Sequence, residues 1–175
     1  MYWFDIEVAG PVSDDHIEAL GDRLAGEIDA TVQADDRGGV VMFSREADDA
    51  VQAIVSAISD IEAVGMTVTG VTEDRVDVED IAERAGVTTT AVRYWIAGSR
   101  GPGGFPRPRV ERQRGSLWSW AEVSAWLASA KVGKVDHLAA ETARASRLIT
   151  DALAVRRGIR DLPVHDRTLI RGLVA

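Results

Sequence analysis

The chain has 175 residues, of which 46% are hydrophobic and 27% charged, and its formal net charge is −8. This composition is typical of a globular protein and predicts a packed core. The lack of cysteine excludes disulfides, thiolate metal ligands and cysteine nucleophiles, and no run of about 18 apolar residues exists that would span a bilayer.

The first predicted elements are a strand and a helix. Tyr2–Val8 alternates apolar and polar side chains, which is typical of a half-buried strand, and Gly10-Pro11 ends it. Ser13 is predicted to cap a helix that has acidic residues in its first turn. The apolar face of this helix is predicted to comprise Ile17, Leu20, Leu24 and Ile28.

A hairpin and a second helix follow. The apolar segments 30–34 and 40–43 flank a polar, glycine-rich turn at 35–39. Ser44 is predicted to open the second helix, and residues 66–71 form a last strand. The apolar stripe of the second helix is predicted to comprise Ala47, Val51, Ile54, Ile58 and Ile61.

The predicted order β-α-β-β-α-β is that of a ferredoxin-like domain, in which two helices cover one face of an antiparallel sheet. We therefore predict an α+β protein whose residues 1–72 form a ferredoxin-like α/β domain. This part is acidic, because residues 1–75 contain 17 Asp and Glu against 4 Arg, a net charge of −13. Residues 76–175 contain 16 basic against 11 acidic residues, a net charge of +5.

The pattern after residue 75 predicts two short helices joined by a tight turn. Asp77 is suited to cap the first helix, and Gly86 permits the left-handed turn that ends it. Thr88 is predicted to cap the second helix, in which Val92 packs inward together with Trp95 or Ile96. The outward residues of the second helix are then Thr89, Thr90, Arg93 and Tyr94.

Residues 98–115, which we call the basic loop, are rich in glycine, proline and arginine. The prolines and glycines forbid a helix, and the Gly101-Pro102-Gly103-Gly104 run indicates flexibility rather than a phosphate-binding loop. Arg84–Gly115 contains seven arginines and one acid, Glu111. We interpret the basic loop as a wing. A return strand is predicted at Leu117-Trp118. Ser119 is predicted to cap the helix that follows, which packs through Val123, Trp126 and Leu127.

Residues of about 76–128 resemble the DNA-binding domain of the MerR family and the related excisionase-like or AlpA-type winged helices. The similar features are the helix Asp77–Ala85, Gly86-Val87-Thr88, Arg93-Tyr94-Trp95, Phe105-Pro106-x-Pro108, and Trp118–Leu127. The basic loop is longer than in that family, and the acidic domain precedes a winged helix that usually begins the chain. The resemblance implies a winged helix-turn-helix at residues 76–130.

The resemblance also implies which residues bind DNA. In that family the second helix enters the major groove, and the wing contacts the backbone or the adjoining minor groove. The recognition-helix residues are then Thr88, Thr89, Thr90, Arg93 and Tyr94, and the wing residues are Arg100, Arg107, Arg109, Arg112 and Arg114. The four tryptophans at positions 95, 118, 120 and 126 are predicted to be core residues.

Residues 131–175 are predicted to form a C-terminal helical segment, with a helix over Lys134–Arg157 that Gly158 ends and a short terminal helix. A weak heptad runs through Val135, Leu138, Thr142, Ala145, Ile149 and Ala152. This stripe either forms a homodimer, as the helix after the winged domain does in MerR proteins, or packs against the acidic domain of the same chain.

The sequence therefore predicts a cytoplasmic, nucleoid-associated protein that binds double-stranded DNA, with no membrane partner. The leading interpretation is a sequence-specific transcription regulator whose acidic domain senses a protein or small-molecule partner. The alternatives are an excisionase-like architectural factor and an adaptor whose acidic domain binds a protein. No nucleophile–base pair, cofactor loop or metal-ligand spacing is present, so we expect no catalytic residue, cofactor or metal.

Overall fold

The computed structural model describes residues 1–24, 30–112, 115–160 and 162–173. Within these ranges the protein is a mixed α+β structure with a four-stranded antiparallel sheet, a two-stranded sheet and seven helices. The chain divides into two compact units. The sheet unit comprises Met1–Thr72 together with Ser146–Ala175, and the middle unit comprises Glu73–Ala145. Residues 131–175, which are predicted to form one C-terminal helical segment, are thus divided between the two units.

The sheet unit begins with four strands and two helices. In chain order they are β1 (Tyr2–Ala9), α1 (Asp14–Arg23), β2 (Ala30–Asp35), β3 (Gly38–Arg45), α2 (Ala50–Ala63) and β4 (Thr67–Val71). The strands lie in the order β2-β3-β1-β4, and each neighbouring pair is antiparallel. The element order therefore agrees with the order that the sequence predicts.

The alternation in β1 places one face of the strand in the core of the sheet unit. Phe4, Ile6 and Val8 are buried on one face, whereas Trp3 and Glu7 on the other face are exposed. Phe4 lies opposite Phe43 of β3, and the two rings stack with centroids 5.7 Å apart. One face of the strand thus supplies the core.

The predicted start of the second helix at Ser44 is wrong. Strand β3 continues to Arg45, which pairs with Tyr2, because the whole of β1 is available as a partner. Helix α2 begins at Ala50 and is capped by Asp49, whose side chain accepts a hydrogen bond from the backbone N–H of Gln52. Backbone pairing with a distant strand overrides the local capping signal of Ser44.

The predicted apolar faces of the first two helices are confirmed in part. Ile54, Ile58 and Ile61 of α2 are buried, but Val51 is 45% exposed. In α1 the Ser13 cap is confirmed and Leu20 is buried. Helix α1 ends at Arg23, and the predicted continuation to Ile28 lies outside the described residues.

The middle unit is built from short elements around an aromatic core. They are β5 (Arg75–Val76), α3 (Val78–Ala85), α4 (Thr89–Ile96), β6 (Trp118–Ser119) and α5 (Trp120–Ala130). Strand β6 pairs with β5, with Val76 opposite Trp118. The buried core of this unit comprises Val76, Ile81, Ala82, Ala85, Val92, Trp118, Trp120, Ala121, Val123, Leu127 and Ala143.

Two further helices complete the chain, α6 (His137–Arg160) and α7 (Val164–Leu173). The boundary between the two units falls within α6, after Ala145. The predicted end of this helix at Gly158 is wrong, because the helix continues for two more residues. Among the described residues, no helix combines the length and the apolar character that a bilayer crossing requires.

The second part of α6 lies beside the edge strand β4. The Thr150 hydroxyl accepts a hydrogen bond from the Val71 N–H at 2.9 Å and donates one to the Val71 carbonyl at 3.0 Å. Arg157 donates to the Thr69 carbonyl, and Arg156 pairs with Glu62 of α2. The contacts of Thr150 and Arg157 satisfy backbone groups on the side of β4 where the described residues form no further strand.

The buried face of α6 differs from the predicted heptad stripe. Its buried side chains are Ala140, Ala143, Ala145, Ser146, Ile149 and Leu153. Only Ala145 and Ile149 belong to the predicted stripe, and Leu138 is 38% exposed. Small residues allow this face to pack closely, a feature that a search for large apolar residues overlooks. Homodimerisation through Val135–Ala152 stays a prediction.

Candidate nucleic-acid interface

The pair of helices α3 and α4 is fixed by local capping. The Asp77 side chain accepts a hydrogen bond from the Asp80 N–H at 2.9 Å, and the Asp80 side chain accepts one from the Asp77 N–H at 3.0 Å. Gly86 ends α3 in the left-handed conformation, with φ of 66°. The Thr88 hydroxyl then accepts a hydrogen bond from the Ala91 N–H at 3.2 Å and caps α4. These predicted caps are confirmed.

Helix α4 buries one face and exposes the other. Val92 is fully buried and Trp95 is half-buried, whereas Thr90, Arg93 and Tyr94 are exposed. Thr89, which is predicted to face outward, is half-buried rather than exposed. Because the hydroxyl of Thr88 already accepts the capping hydrogen bond, the exposed polar groups on α4 itself are mainly those of Thr90, Arg93 and Tyr94.

The basic loop is held against α4 and α5 by aromatic side chains. The Trp126 indole N–H donates to the Gly103 carbonyl at 2.9 Å. At Gly101, which has φ of 100°, an added Cβ would lie 2.7 Å from the Trp95 ring, so only glycine fits. Phe105 completes the cluster, with its ring centroid 4.9 Å from that of Trp126 and 6.4 Å from that of Trp95. The glycine-rich part of the loop is therefore anchored at Gly101 and Gly103, although residues 101–104 are exposed.

Arg100 lies beside α4 rather than at the far end of the basic loop. Its guanidinium carbon is 4.9 Å from the centroid of the Tyr94 ring, which is the geometry of a cation–π contact. Both side chains are exposed. The structure thus places Arg100, a predicted wing residue, against Tyr94 of α4, whereas Arg93 pairs with Glu79 of α3.

The second half of the basic loop is attached to the segment that precedes β6. The Arg109 N–H donates to the Leu117 carbonyl at 2.7 Å, and Val110 forms a bridge with Leu117. Arg107 and Arg112 are exposed, and neither has an acidic partner among the described residues. Arg114, a predicted wing residue, lies outside the described residues.

Three arginines of the segment Arg84–Gly115 are paired with acids that lie outside it in the sequence. These pairs are Arg84 with Asp74 at 2.6 Å, Arg93 with Glu79 at 3.4 Å, and Arg109 with Glu122 at 2.7 Å. The acids lie 10 to 14 residues from their partners, so a charge count over one segment does not find them. Exposed pairs of this kind contribute only about 0–1 kcal/mol, so a phosphate can replace the carboxylate.

The pair Arg109–Glu122 lines a cavity of about 440 Å³ at the surface of the middle unit. The other lining residues are Pro106, Arg107, Pro108 and Ala125. Two guanidinium groups and one carboxylate line this cavity, which therefore presents more positive than negative charge. The described residues contain no group of three or more His, Asp or Glu side chains that could hold a metal ion.

Arg84 is held by contacts within the middle unit. Its guanidinium lies 5.0 Å from the centroid of the Trp120 ring, in addition to its pairing with Asp74. Trp118 and Trp120 are buried, and Trp95 and Trp126 pack against the same core, as the sequence predicts. Trp3, in contrast, is 65% exposed.

Comparison of the chain with models of protein families, with curated proteins and with solved structures found no match. What the middle unit can bind must therefore be inferred from its own side chains. The arrangement offers guanidinium groups and hydroxyls to a ligand, and these groups recognise phosphate oxygens and the edges of bases.

Proposed function

We propose that the middle unit is a winged helix-turn-helix domain similar to those of MerR and excisionase-like proteins, and that the chain is a sequence-specific double-stranded-DNA-binding protein. In this proposal α4 is the recognition helix and the basic loop is the wing. The observation that carries the proposal is the surface at α4, where Arg93 and Tyr94 are exposed and Arg100 contacts the Tyr94 ring. A cationic helix face of this kind suits the major groove of DNA.

The spacing on α4 supports base reading. Thr90 and Arg93 are three residues apart and therefore lie on the same side of the helix. A guanidinium donates two hydrogen bonds to the O6 and N7 atoms of guanine, and a threonine hydroxyl contacts either base edges or phosphates. The weak, exposed pair of Arg93 with Glu79 leaves Arg93 available for DNA.

Arg107 and Arg112 support phosphate binding by the basic loop. Both are exposed and lack an acidic partner among the described residues. Each guanidinium that neutralises a phosphate releases counterions from DNA, and the resulting affinity does not depend on base sequence. In the proposal these residues contribute affinity, and Arg93 contributes specificity.

For the sheet unit we propose a ferredoxin-like domain that connects DNA binding to a protein or small-molecule signal in transcription regulation. The strand order β2-β3-β1-β4, with α1 and α2 between the strands in the chain, supports this topology. The fold alone does not name a ligand.

The test is a selection of duplexes from a random library, followed by fluorescence-anisotropy titrations of the selected and a random duplex over a series of salt concentrations. Wild-type protein should show a steep negative slope of log affinity against log salt. Arg93→Ala should lose about tenfold affinity or more for the selected duplex and little for the random one. The double variant Arg107→Ala with Arg112→Ala should lose affinity for both and reduce the slope by about two.

Arg171→Ala in α7 is the matched control, because Arg171 is exposed and belongs to the sheet unit. It should leave both affinities unchanged. A salt-independent affinity of the wild type, or equal losses for all these variants, would contradict the proposed function.

A further inference from the structure

The segment that follows α5 is folded back onto the turn between α3 and α4. Lys131 ends α5 in the left-handed conformation, and the Val132 N–H donates to the Leu127 carbonyl at 3.2 Å. Val132 and Val135 pack against the core of the middle unit. The backbone between these two valines is therefore held in place from both sides.

Gly133 allows this segment to approach the end of α3. A Cβ added at Gly133 would lie 3.0 Å from the carbonyl oxygen of Ala85 and 3.1 Å from its Cβ, and the φ of Gly133 is 66°. The next residue, Lys134, donates its backbone N–H to the Ala85 carbonyl at 2.8 Å. Lys134 is thus fixed at the last residue of α3 by a short backbone hydrogen bond.

The Lys134 side chain extends over the turn itself. Measured from an ideal Cβ at Gly86, its Cδ lies at 3.5 Å and its Cε at 3.8 Å. The side chain is exposed, and no acidic partner is found for it among the described residues. The ammonium group is therefore presented beside Gly86, two residues before the cap Thr88 of α4.

We propose that Lys134 binds a phosphate of the DNA backbone next to the groove that α4 enters. This inference rests on the proposed function and adds a contact from outside both α4 and the basic loop. A lysine suits this role because its ammonium is a compact point charge that needs no bidentate geometry. Because its backbone is fixed before DNA arrives, only the side chain loses freedom on binding.

The stem and the charge of Lys134 can be separated by Lys134→Met, which keeps an apolar chain over Gly86 and removes the ammonium. Anisotropy titrations with a fluorescein-labelled random duplex and with the selected duplex should show a loss of about fivefold for both. The slope of log affinity against log salt should fall in magnitude by about one. The melting temperature should equal that of the wild type.

Lys131→Met is the control, because Lys131 is the other lysine of the chain and lies three residues away. It should leave the affinity and the slope unchanged. An equal loss for both lysine variants, or a loss for Lys134→Met that comes with a lower melting temperature and an unchanged slope, would overturn the inference. If the wild type has a steep slope of log affinity against log salt and Lys134→Met has the same slope, this inference alone is overturned. If the wild-type slope is flat, the proposed function is overturned as well.

Discussion

Arg84 and Arg107 belong to the same basic segment of the sequence, but their surroundings differ. Arg84 stacks on Trp120 and pairs with Asp74, so it stabilises the middle unit. Arg107 is exposed and has no acidic partner among the described residues. Arg93 and Arg109 lie between these extremes, because each pairs with an exposed or half-exposed glutamate. The charge that reaches a ligand is therefore smaller than the arginine count suggests.

At the candidate site, the sequence predicts the local caps but not the contacts between residues that are distant in the sequence. Asp77, Gly86 and Thr88 act on neighbours within a few residues, so their roles can be read from local order. The contact of Arg100 with Tyr94 depends instead on how the basic loop packs on Trp95, and Lys134 reaches Gly86 only through the path of the chain after α5. Such contacts leave no local signal.

Asp5 provides a test of stability at the residue scale. Burial raises the pKa of the Asp5 carboxyl above its ordinary value of 3.8. The folded state then holds this proton more tightly than the unfolded state, so the contribution of Asp5 to stability falls as pH rises from about 3.8 through the raised pKa. Asp5→Asn should raise the melting temperature at pH 7 and leave it unchanged below pH 3.8. An equal change at both pH values, measured by circular dichroism, would disprove this role of burial.

At the scale of elements, strong periodicity predicts the core and weak periodicity does not. The alternation of β1 and the isoleucines of α2 identify buried residues correctly. The predicted stripe of α6 mostly fails, because the buried face uses alanine and serine. The predicted start of α2 at Ser44 is wrong for a different reason. Strand β3 extends as far as β1 offers hydrogen bonds, and this partner is more than 30 residues away in the sequence.

The geometry of the turn between α3 and α4 depends on Gly86. Gly86 has φ of 66°, a conformation that costs a residue with a Cβ about 1–2 kcal/mol. Gly86→Ala should therefore lower the melting temperature of the middle unit by roughly 4–16 °C. Gly86→Asn should lower it less, because asparagine tolerates the left-handed region. Tryptophan fluorescence is a suitable probe, since four of the five tryptophans lie in the middle unit.

The control for this prediction is Gly21→Ala in α1. Gly21 lies inside a helix, and an added Cβ would have no atom within 4 Å, so the substitution should raise the stability of the sheet unit slightly. If Gly86→Ala and Gly86→Asn are equally destabilising, the cost arises from packing rather than from the backbone conformation.

At the scale of the whole molecule, the two units divide the charge differently from the two halves of the sequence. The sheet unit contains 18 acidic and 9 basic residues, a net charge of −9. The middle unit contains 10 acidic and 11 basic residues, a net charge of +1. The difference arises because the C-terminal arginines belong to the sheet unit, where Arg156 pairs with Glu62. The middle unit as a whole is therefore nearly neutral, because its acidic residues almost balance the basic residues of α4, the basic loop and the rest of the unit.

The sheet unit consists of two separate parts of the sequence. The hydrogen bonds between Thr150 and Val71 predict that these two parts stabilise each other. Thr150→Val keeps the shape of the side chain but removes both hydrogen bonds to Val71. The half-buried backbone groups of Val71 then lose their partners, which should cost about 1–3 kcal/mol in the free energy of unfolding. Urea unfolding followed by circular dichroism measures this cost.

Thr142→Val is the matched substitution in the same helix, because the Thr142 hydroxyl donates only to the Leu138 carbonyl one turn earlier. It should change the free energy of unfolding by less than Thr150→Val does. Equal effects of the two substitutions would mean that the hydroxyl of Thr150 matters only within α6. A selective loss for Thr150→Val would instead establish that the edge of β4 depends on a residue almost eighty positions later, which truncation at the end of the middle unit would remove.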